Sequence, residues 1–213
     1  MTIIDNLLKT VAGKLDIYET FLKDGATEKS VKDITEITGL EVPDALAELL
    51  LRHNGEKKFM GFLGHGFLSA EEIISQWQSI VAMKNDPNFD VGERMYYQQD
   101  LIAPVSFFSA KRLPFAHDGS GQLLCIDYDP GPDGKMGQIV YVPMGEPEPL
   151  SVIAGSFHEF VEFITEAISS GNLALADDRE DYEADEQHFA EVYFYQTWKQ
   201  DWTEVAKAYH PKN

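Results

Sequence analysis

The sequence predicts an α+β fold in which a single, mainly antiparallel β-sheet is flanked by helices, with extra N-terminal and C-terminal helices. Three observations support this prediction. In the first 85 residues, apolar side chains recur every three or four positions, which is typical of helices. From Leu113 onward, short β-branched segments alternate with Gly, Pro and Asp, which is typical of strands joined by tight turns. A capped amphipathic segment, "SFHEFVEFITEAISSG", follows these strands.

The opening segment predicts one helix that ends at Gly25, and we assign residues 1–26 to an N-terminal helical extension. Its apolar residues follow the spacing of one helical face: Ile4, Leu8, Val11, Leu15, Tyr18 and Leu22. Because this stripe spans only about three heptads, packing onto the chain's own core is favoured over a coiled-coil seam, which stays the alternative.

Two short helices are predicted next. In "TEKSVKDITEITG", Thr27 or Ser30 can serve as the N-cap and Gly39 as the terminator. In "LEVPDALAELLLRHNG", Pro43 fits the first helical position, and the Asn-Gly pair at 54–55 ends the helix. Both helices precede the first predicted strand.

Residues 58–68 predict a glycine-punctuated strand or hairpin that leads into a further helix. That helix begins with a capping box, Ser69 and Glu72, whose side chains accept hydrogen bonds from each other's backbone amides. Ser156 and Glu159 repeat the same pattern at the start of the later helix.

The central part of the chain predicts a meander of antiparallel strands. Four apolar segments, rich in β-branched residues and separated by turn residues, form it: "LPFAH", "GQLLCID", "GQIVYVP" and "LSVIA". We assign residues 27–172, which hold these strands and the helices around them, to one domain.

Residues 173–213 predict an acidic linker and an aromatic-rich C-terminal helix. "ADDREDYEADE" carries seven acidic residues and one arginine, so its carboxylates repel one another and keep the segment solvated. Farther on, Phe194, Trp198 and Trp202 share one face of a helical spacing. A face this apolar must be covered, either by the domain itself or, as the alternative, by a second copy or another partner.

The charge balance narrows the classes of partner. The chain has 36 acidic and 17 basic residues, which gives a formal net charge of −19. Direct nucleic-acid binding needs a basic footprint, so we expect a basic protein partner and no direct contact with DNA or RNA. Cys125 is the single cysteine, and neither a leader nor an apolar run of about 20 residues is seen, so a cytoplasmic protein without membrane association is expected.

The Asp-rich stretch "CIDYDPGPDGKMGQIV" raises the question of a calcium site. With Asp129 as the first residue of an EF-hand loop, Gly131 and Val140 would fill positions that require oxygen donors, so the pattern fails. Asp, Pro and Gly also favour a tight turn between strands, and this is the preferred interpretation. A different calcium geometry through Asp127, Asp129 and Asp133 stays the alternative.

The remaining motifs supply no catalytic set. Ser120 lies in "DGSGQ", which differs from a nucleophile elbow, and the six histidines show no metal-ligand spacing. Cys125 has apolar neighbours on both sides and is predicted to lie in the core. We therefore predict a protein that is not an enzyme and binds no metal or cofactor.

The order of these motifs resembles the SUKH superfamily, the Smi/Knr type named after fungal cell-wall regulators. The resemblance covers residues 31–168 and lies in "ITGLEVPDALAELLLRHNG", "GFLSAEEIISQW", "LPFAHDGSGQLLCIDYDPGPDGKMGQIV" and "VIAGSFHEFVEFI". Many relatives carry a tryptophan where this chain has Lys111 and Arg112. The resemblance implies an α+β domain without catalytic residues that acts by binding proteins. Bacterial members are regarded as immunity proteins that neutralise polymorphic toxins, many of them nucleases, and fungal members as signalling or cell-wall regulators.

The leading hypothesis is a stoichiometric immunity protein that binds a basic toxin domain, with a regulator or scaffold acting on a host protein as the alternative. A hydrolase or calcium-dependent binder that uses the Asp-rich loop is a third hypothesis. Acidic contacts are expected from the turns and from residues 177–186, and buried aromatic anchors would supply affinity. The predicted partner-binding residues are Asp118, Asp127, Asp129, Asp133, Phe107, Phe108, Trp198 and Trp202.

Overall fold

A five-stranded antiparallel meander forms the centre of the protein, and each strand pairs with the next one along the chain. Its strands are β1 (Gly66–Phe67), β2 (Arg112–His117), β3 (Gln122–Asp127), β4 (Gln138–Pro143) and β5 (Ser151–Ala154). The structure is a computed structural model that describes residues 1–86, 100–103, 109–143, 150–183, 186, 190–197 and 202. The predicted α+β class is confirmed, and the four predicted segments of the meander are β2 to β5.

β1 is much shorter than the strand or hairpin predicted over residues 58–68. The chain turns tightly here, because Gly64 donates its backbone N–H to the carbonyl of Gly61 at 2.8 Å. Both glycines have positive φ angles, +68° at Gly61 and +79° at Gly64, which interrupt an extended strand. Only the last two residues before Leu68 therefore pair with β2.

Within the part of the chain that the structure describes, five α-helices pack with the sheet: α1 (Ile3–Lys14), α2 (Glu28–Thr38), α3 (Asp44–Arg52), α4 (Ala70–Asn85) and α5 (Phe157–Ser170). The predicted caps of α2 and α4 are confirmed: Thr27 caps α2, and Ser69 and Glu72 form the reciprocal capping box of α4. At α5, Ser156 accepts from the amide of Glu159, but the Glu159 carboxylate accepts from the amide of Gly155, one residue before the predicted donor.

The prediction of one helix up to Gly25 is wrong, because α1 ends at Lys14 and a 3₁₀ helix follows at Tyr18–Phe21. The reason is tertiary pairing. The carbonyl of Phe21 accepts a hydrogen bond from the amide of Lys57 at 2.7 Å, and Leu22 forms a β-bridge with Glu56. In a continuous helix, these backbone groups would form hydrogen bonds within the helix and could not pair with residues 56 and 57.

The meander has an apolar cluster on each face, because successive side chains of a strand point to opposite sides. Leu124 and Ile126 belong to the larger cluster, with Phe160 of α5 and the apolar residues of α1 and α3. Leu123 and Cys125 belong to a second cluster, which also holds Ile80, Ile102, Val140 and Leu150. Cys125 lies in the core as predicted, and burial raises the pKa of its thiol to about 12.

The C-terminal part contains a second antiparallel sheet that the sequence analysis did not predict. β6 (Leu173–Asp177) pairs with β7 (Val192–Gln196), so the acidic stretch begins in a strand, and residues 192–196 are extended where a helix was expected. Val192 and Phe194 point into the main core, and the amide of Phe194 donates to the carbonyl of Met60 at 2.7 Å. Buried and outward-facing residues alternate along this strand with a period of two. The helical spacing of the aromatic residues therefore did not predict the structure of this segment.

Candidate protein-binding surface

The Asp-rich turn after β3 forms backbone hydrogen bonds with residues 100 and 101. Gly131 donates its amide to the carbonyl of Leu101 at 2.9 Å, and Asp133 donates to the carbonyl of Asp100 at 2.8 Å. A Cβ atom on Gly131 would lie only 2.7 Å from the Asp100 carbonyl oxygen. Glycine is therefore required here by the close approach of two backbone segments.

Asp127 is fully buried, which corrects its prediction as a partner contact. It stands in a cross-strand row between Arg112 of β2 and Gln138 of β4, and all three are at most 1% exposed. Its carboxylate lies 3.5 Å from Arg112 Nε and accepts a hydrogen bond from Gln138 Nε2 at 3.0 Å. Gln138 also donates to the carbonyl of Leu101 at 2.8 Å, so the row ties the same segment to the sheet.

Asp118 closes the turn between β2 and β3. One carboxylate oxygen accepts hydrogen bonds from the amides of Ser120, Gly121 and Gln122 at 2.8 to 3.1 Å. Burial acts to raise the pKa of Asp118, but the hydrogen bonds from Ser120 and Gln122 outweigh it and lower the pKa below its usual value. This half-buried carboxylate therefore has a structural role in the turn.

Asp129 and Asp133 are exposed and stay candidates for partner contact. Because Asp127 points inward to Arg112 and Gln138, the three aspartates of the turn do not converge on one point. Across the part of the chain that the structure describes, no group of three or more His, Cys, Asp or Glu side chains is positioned to hold a metal ion.

The four predicted aromatic anchors have different outcomes. Phe107, Phe108 and Trp198 lie outside the described residues. Trp202 is only 3% exposed and packs in the chain's own core, which corrects its prediction as a partner anchor. Its ring lies 5.7 Å from His65 and 6.3 Å from Phe163, measured between ring centroids.

The connection between β6 and β7, residues 177–191, forms an acidic surface. Six of its described carboxylate residues are exposed: Asp177, Glu180, Asp181, Glu183, Glu186 and Glu191. The one arginine, Arg179, contacts the carboxylates of Asp177 at 2.6 Å and Asp16 at 3.6 Å. Hydrogen bonding to Arg179 lowers the pKa of Asp177. The predicted acidic linker is thus anchored at Arg179, and its described residues present exposed carboxylates.

Exposed aromatic rings border this acidic surface, and the sequence analysis missed them. Phe59 is 52% exposed and Tyr195 is 45% exposed, with Tyr193 between them at ring-centroid distances of 6.5 and 6.4 Å. Next to them lies an open groove of about 420 Å³, lined by Phe21, Lys58, Phe59, Ala190, Glu191, Val192 and Tyr193. The period-two pattern of "VYFYQ" is the signal that would have placed these tyrosines on an outward strand face.

Two buried titratable groups hold the loop beneath these rings. The Glu56 carboxylate accepts hydrogen bonds from the amides of Met60 at 2.7 Å and Gly61 at 3.2 Å, and burial raises its pKa to about 7. His65 is 5% exposed, and its Nδ1 lies 2.6 Å from the carbonyl oxygen of Gly64. Burial lowers the pKa of His65 to about 4, so its ring is neutral at pH 7 and donates through Nδ1.

Within the described part of the chain, none of the helices combines the length and apolarity needed to cross a membrane.

Comparisons with known proteins identify similar sequences. A family model described as the SMI1 / KNR4 family (SUKH-1) matches residues 25–162, which include the Asp-rich turn but end before β6 and β7.

The chain is also similar to a glucan synthesis regulatory protein of Neurospora crassa, with 23% identity over 194 residues. The matched region covers 74% of this chain and 36% of that protein, so the chain spans about a third of its relative's length. The match of the family model over more than half of the residues decides the assignment: this chain belongs to the SMI1 / KNR4 family (SUKH-1).

Proposed function

We propose that the protein is a non-enzymatic immunity protein that neutralises a polymorphic toxin, of the nuclease class, by stoichiometric binding. The family includes both immunity proteins and cell-wall regulators, and both act through protein contacts. The observation that carries the proposal is the acidic surface beside exposed aromatic rings, on a chain with a net charge of −19.

Charge complementarity supports a nuclease as the partner. An enzyme that cleaves nucleic acid presents a basic cleft to phosphate groups, and an acidic inhibitor is attracted to that cleft from a distance. Such steering raises the association rate, whereas slow dissociation needs apolar contacts that exclude water. Residues 177–191 provide the charge, and Phe59 and Tyr195 provide exposed aromatic area.

Three buried or partly buried residues with shifted pKa values, Glu56, His65 and Cys125, lie in environments that support a role without catalysis. Glu56 binds backbone amides, His65 packs between aromatic rings, and Cys125 lies on the other face of the meander in the second apolar cluster. Each group is used by the fold in a different place. A reaction would require such groups to meet at one accessible point.

The test is an inhibition titration with the product of a toxin gene next to this one. We expect nuclease activity to fall linearly and reach zero at equimolar inhibitor, without turnover. The association rate should drop at least about tenfold between about 20 mM and about 500 mM salt, because the Debye length shrinks from about 20 Å to below 5 Å. Full nuclease activity in excess inhibitor would contradict the proposal.

A charge-neutral variant provides the matched control. Replacing Glu180, Asp181 and Glu183 by Gln, Asn and Gln keeps the side-chain shapes and removes three exposed charges. We expect a slower association rate with a weaker salt dependence and a nearly unchanged dissociation rate. An unchanged association rate in this variant would remove the electrostatic part of the proposal.

A second candidate function is regulation of cell-wall synthesis or signalling through a host protein. The observation that favours it is the Neurospora crassa relative, which is named a glucan synthesis regulatory protein. A pull-down with this chain, made in a host that lacks the toxin gene, separates the two functions. Stable capture of a host protein together with an unaffected toxin would favour regulation over immunity.

A further inference from the structure

The outer face of the β6–β7 sheet is an aromatic and apolar surface. In the antiparallel register, Tyr195 lies opposite Ala174 and Tyr193 lies opposite Ala176. These four side chains share one face, since the alternate residues of both strands point into the core. The small alanines leave the tyrosine rings uncovered, and Phe59 extends the surface from the neighbouring loop. We call these five residues the aromatic face.

Exposed carboxylates lie in the chain that joins the two strands of the aromatic face. The chain between the ends of β6 and β7 carries eight acidic residues and one arginine across residues 177–191. Arg179 is bound by Asp177 and Asp16, so it offsets charges that lie next to it. Five other described carboxylate residues are exposed: Glu180, Asp181, Glu183, Glu186 and Glu191. Glu191 also lines the groove beside Phe59 and Tyr193, and Lys58 lines the same groove, so the acidic residues of the connection outnumber one cation there. Aromatic rings and negative charge are therefore presented together.

We propose that the aromatic face binds an arginine-bearing segment of a partner protein. A guanidinium group stacks on the faces of aromatic rings and also makes paired hydrogen bonds to carboxylates. Its apolar stem can cover the small side chains of Ala174 and Ala176. Tyr193 and Tyr195, with the exposed carboxylates of Asp177 and Glu191 at the end of the two strands, offer both kinds of contact within one surface. This inference rests on the proposed function in taking the ligand to be a protein.

Charge selects this occupant over the others. A second copy of this chain carries the same net charge of −19, so self-association through an acidic surface is opposed by repulsion. An anionic membrane is repelled for the same reason. A cationic protein segment is attracted, and tyrosine provides aromatic contact area at a small loss of conformational entropy.

The aromatic face is preorganised by the chain beneath it. Glu56 holds the amides of Met60 and Gly61, and the carbonyl of Met60 accepts the hydrogen bond from Phe194 that fixes β7 to the loop. Phe59 and the tyrosines are therefore carried on two segments that are tied to each other. A rigid surface loses little entropy on binding.

The experiment titrates the whole 213-residue chain with a short synthetic peptide of alternating arginine and leucine and measures binding by NMR chemical shifts and calorimetry. We expect shifts to cluster at residues 58–61, 174–176 and 191–195. The double variant Phe59→Ala/Tyr195→Ala should weaken binding at least about tenfold, and a lysine-for-arginine peptide should bind several-fold more weakly. The control is Met136→Ala, at a side chain that is 74% exposed on the Asp-rich turn, and it should bind like wild type.

A second variant, Ala176→Arg, places a cation on the aromatic face and should abolish peptide binding in a protein with an unchanged circular dichroism spectrum. Shifts centred on Asp129 and Asp133, or equal binding by all variants, would overturn the inference. So would a dimer in sedimentation experiments that Tyr195→Ala dissociates, because the aromatic face would then be a self-interface.

The immunity function and the binding of an arginine-bearing segment can fail independently in these experiments. Peptide binding at the aromatic face without toxin inhibition would remove the immunity function and leave this inference standing. Full toxin inhibition by Phe59→Ala/Tyr195→Ala, with unchanged affinity, would remove this inference and leave the immunity function standing.

Discussion

Two acidic regions of this protein have opposite roles. In the turn after β3, Asp127 is buried against Arg112 and Gln138, and the glycines contact the backbone of residues 100–102. In the connection between β6 and β7, most of the described carboxylates are exposed, and Glu191 lines a groove together with Phe59 and Tyr193. The comparison teaches that the hydrogen-bond partners of a carboxylate, rather than the number of acidic residues, decide whether a region serves the fold or a partner.

The largest effect should come from removing the buried charge. Asp127→Ala removes the anion that faces Arg112 and one of the two acceptors of Gln138 Nε2, so we expect a loss of about 3–5 kcal/mol in the free energy of unfolding. Urea denaturation measures this. The matched control, Asp133→Ala, removes an exposed carboxylate of the same turn and should stay within about 0.5 kcal/mol of wild type. Equal midpoints for both variants would remove the distinction between the buried and exposed carboxylates.

A smaller effect should come from the glycine that lets the turn contact residues 100–102. Gly131→Ala places a Cβ 2.7 Å from the Asp100 carbonyl oxygen, which requires a backbone shift. We expect a loss of about 1–3 kcal/mol. Gly13→Ala is the control, because nothing lies within 4 Å of its added Cβ and it sits in α1, where alanine is favoured over glycine by about 1 kcal/mol. Opposite signs for the two variants are the expected result of thermal denaturation.

The smallest effect concerns pH and the loop that supports the aromatic face. The pKa of Glu56 rises from 4.5 to about 7 on folding, so the folded state binds more protons and stability falls as pH rises through this range. The pKa of His65 falls from 6.5 to about 4, so its contribution to stability rises with pH between these values. The two slopes oppose each other in wild type between about pH 4.5 and 6.5, and each is at most about 1.4 kcal/mol per pH unit.

Single variants should reveal the slopes separately. Glu56→Gln keeps an acceptor for the amide of Met60 and removes the charge. Its stability should rise with pH across this window, because His65 loses its proton in the unfolded chain while the folded ring is already neutral. His65→Leu should show the reverse trend. Urea denaturation at a series of pH values measures both. Parallel stability curves for wild type and Glu56→Gln would show that the carboxylate does not titrate differently on folding.

Local signals predicted much of the domain. The caps of α2 and α4 involve residues three positions apart, and the strands of the meander join neighbours in the chain, so their cause lies within short windows. α1 was predicted too long because its apolar spacing continues through Leu22, while the pairing of Phe21 and Leu22 with residues 56–57 ends the helix. That pairing joins residues far apart in sequence, which periodicity does not register.

The binding surface was predicted only in part. The acidic stretch at 177–186 is visible from composition, and five of its described carboxylate residues are exposed. The burial of Asp127 depends on its register with Arg112 and Gln138, which follows from strand pairing and not from local sequence. Tyr193 and Tyr195 were missed because a helical spacing of aromatics over a long window obscured a five-residue strand. Phe59 was expected in a strand, but it precedes the turn between Gly61 and Gly64, and β1 begins only at Gly66.

Gly64 lies against the ring of Trp202. The residues that position 64 tolerates therefore depend on the C-terminal segment that carries Trp202. Gly64 has φ of +79°, a conformation that asparagine also tolerates, but an added Cβ would lie 2.7 Å from the indole ring of Trp202. A homologue that lacks the C-terminal segment is free to carry asparagine at this position, whereas one that acquires the segment must have glycine there first. The order of mutations by which such a segment can be added during evolution is thereby restricted.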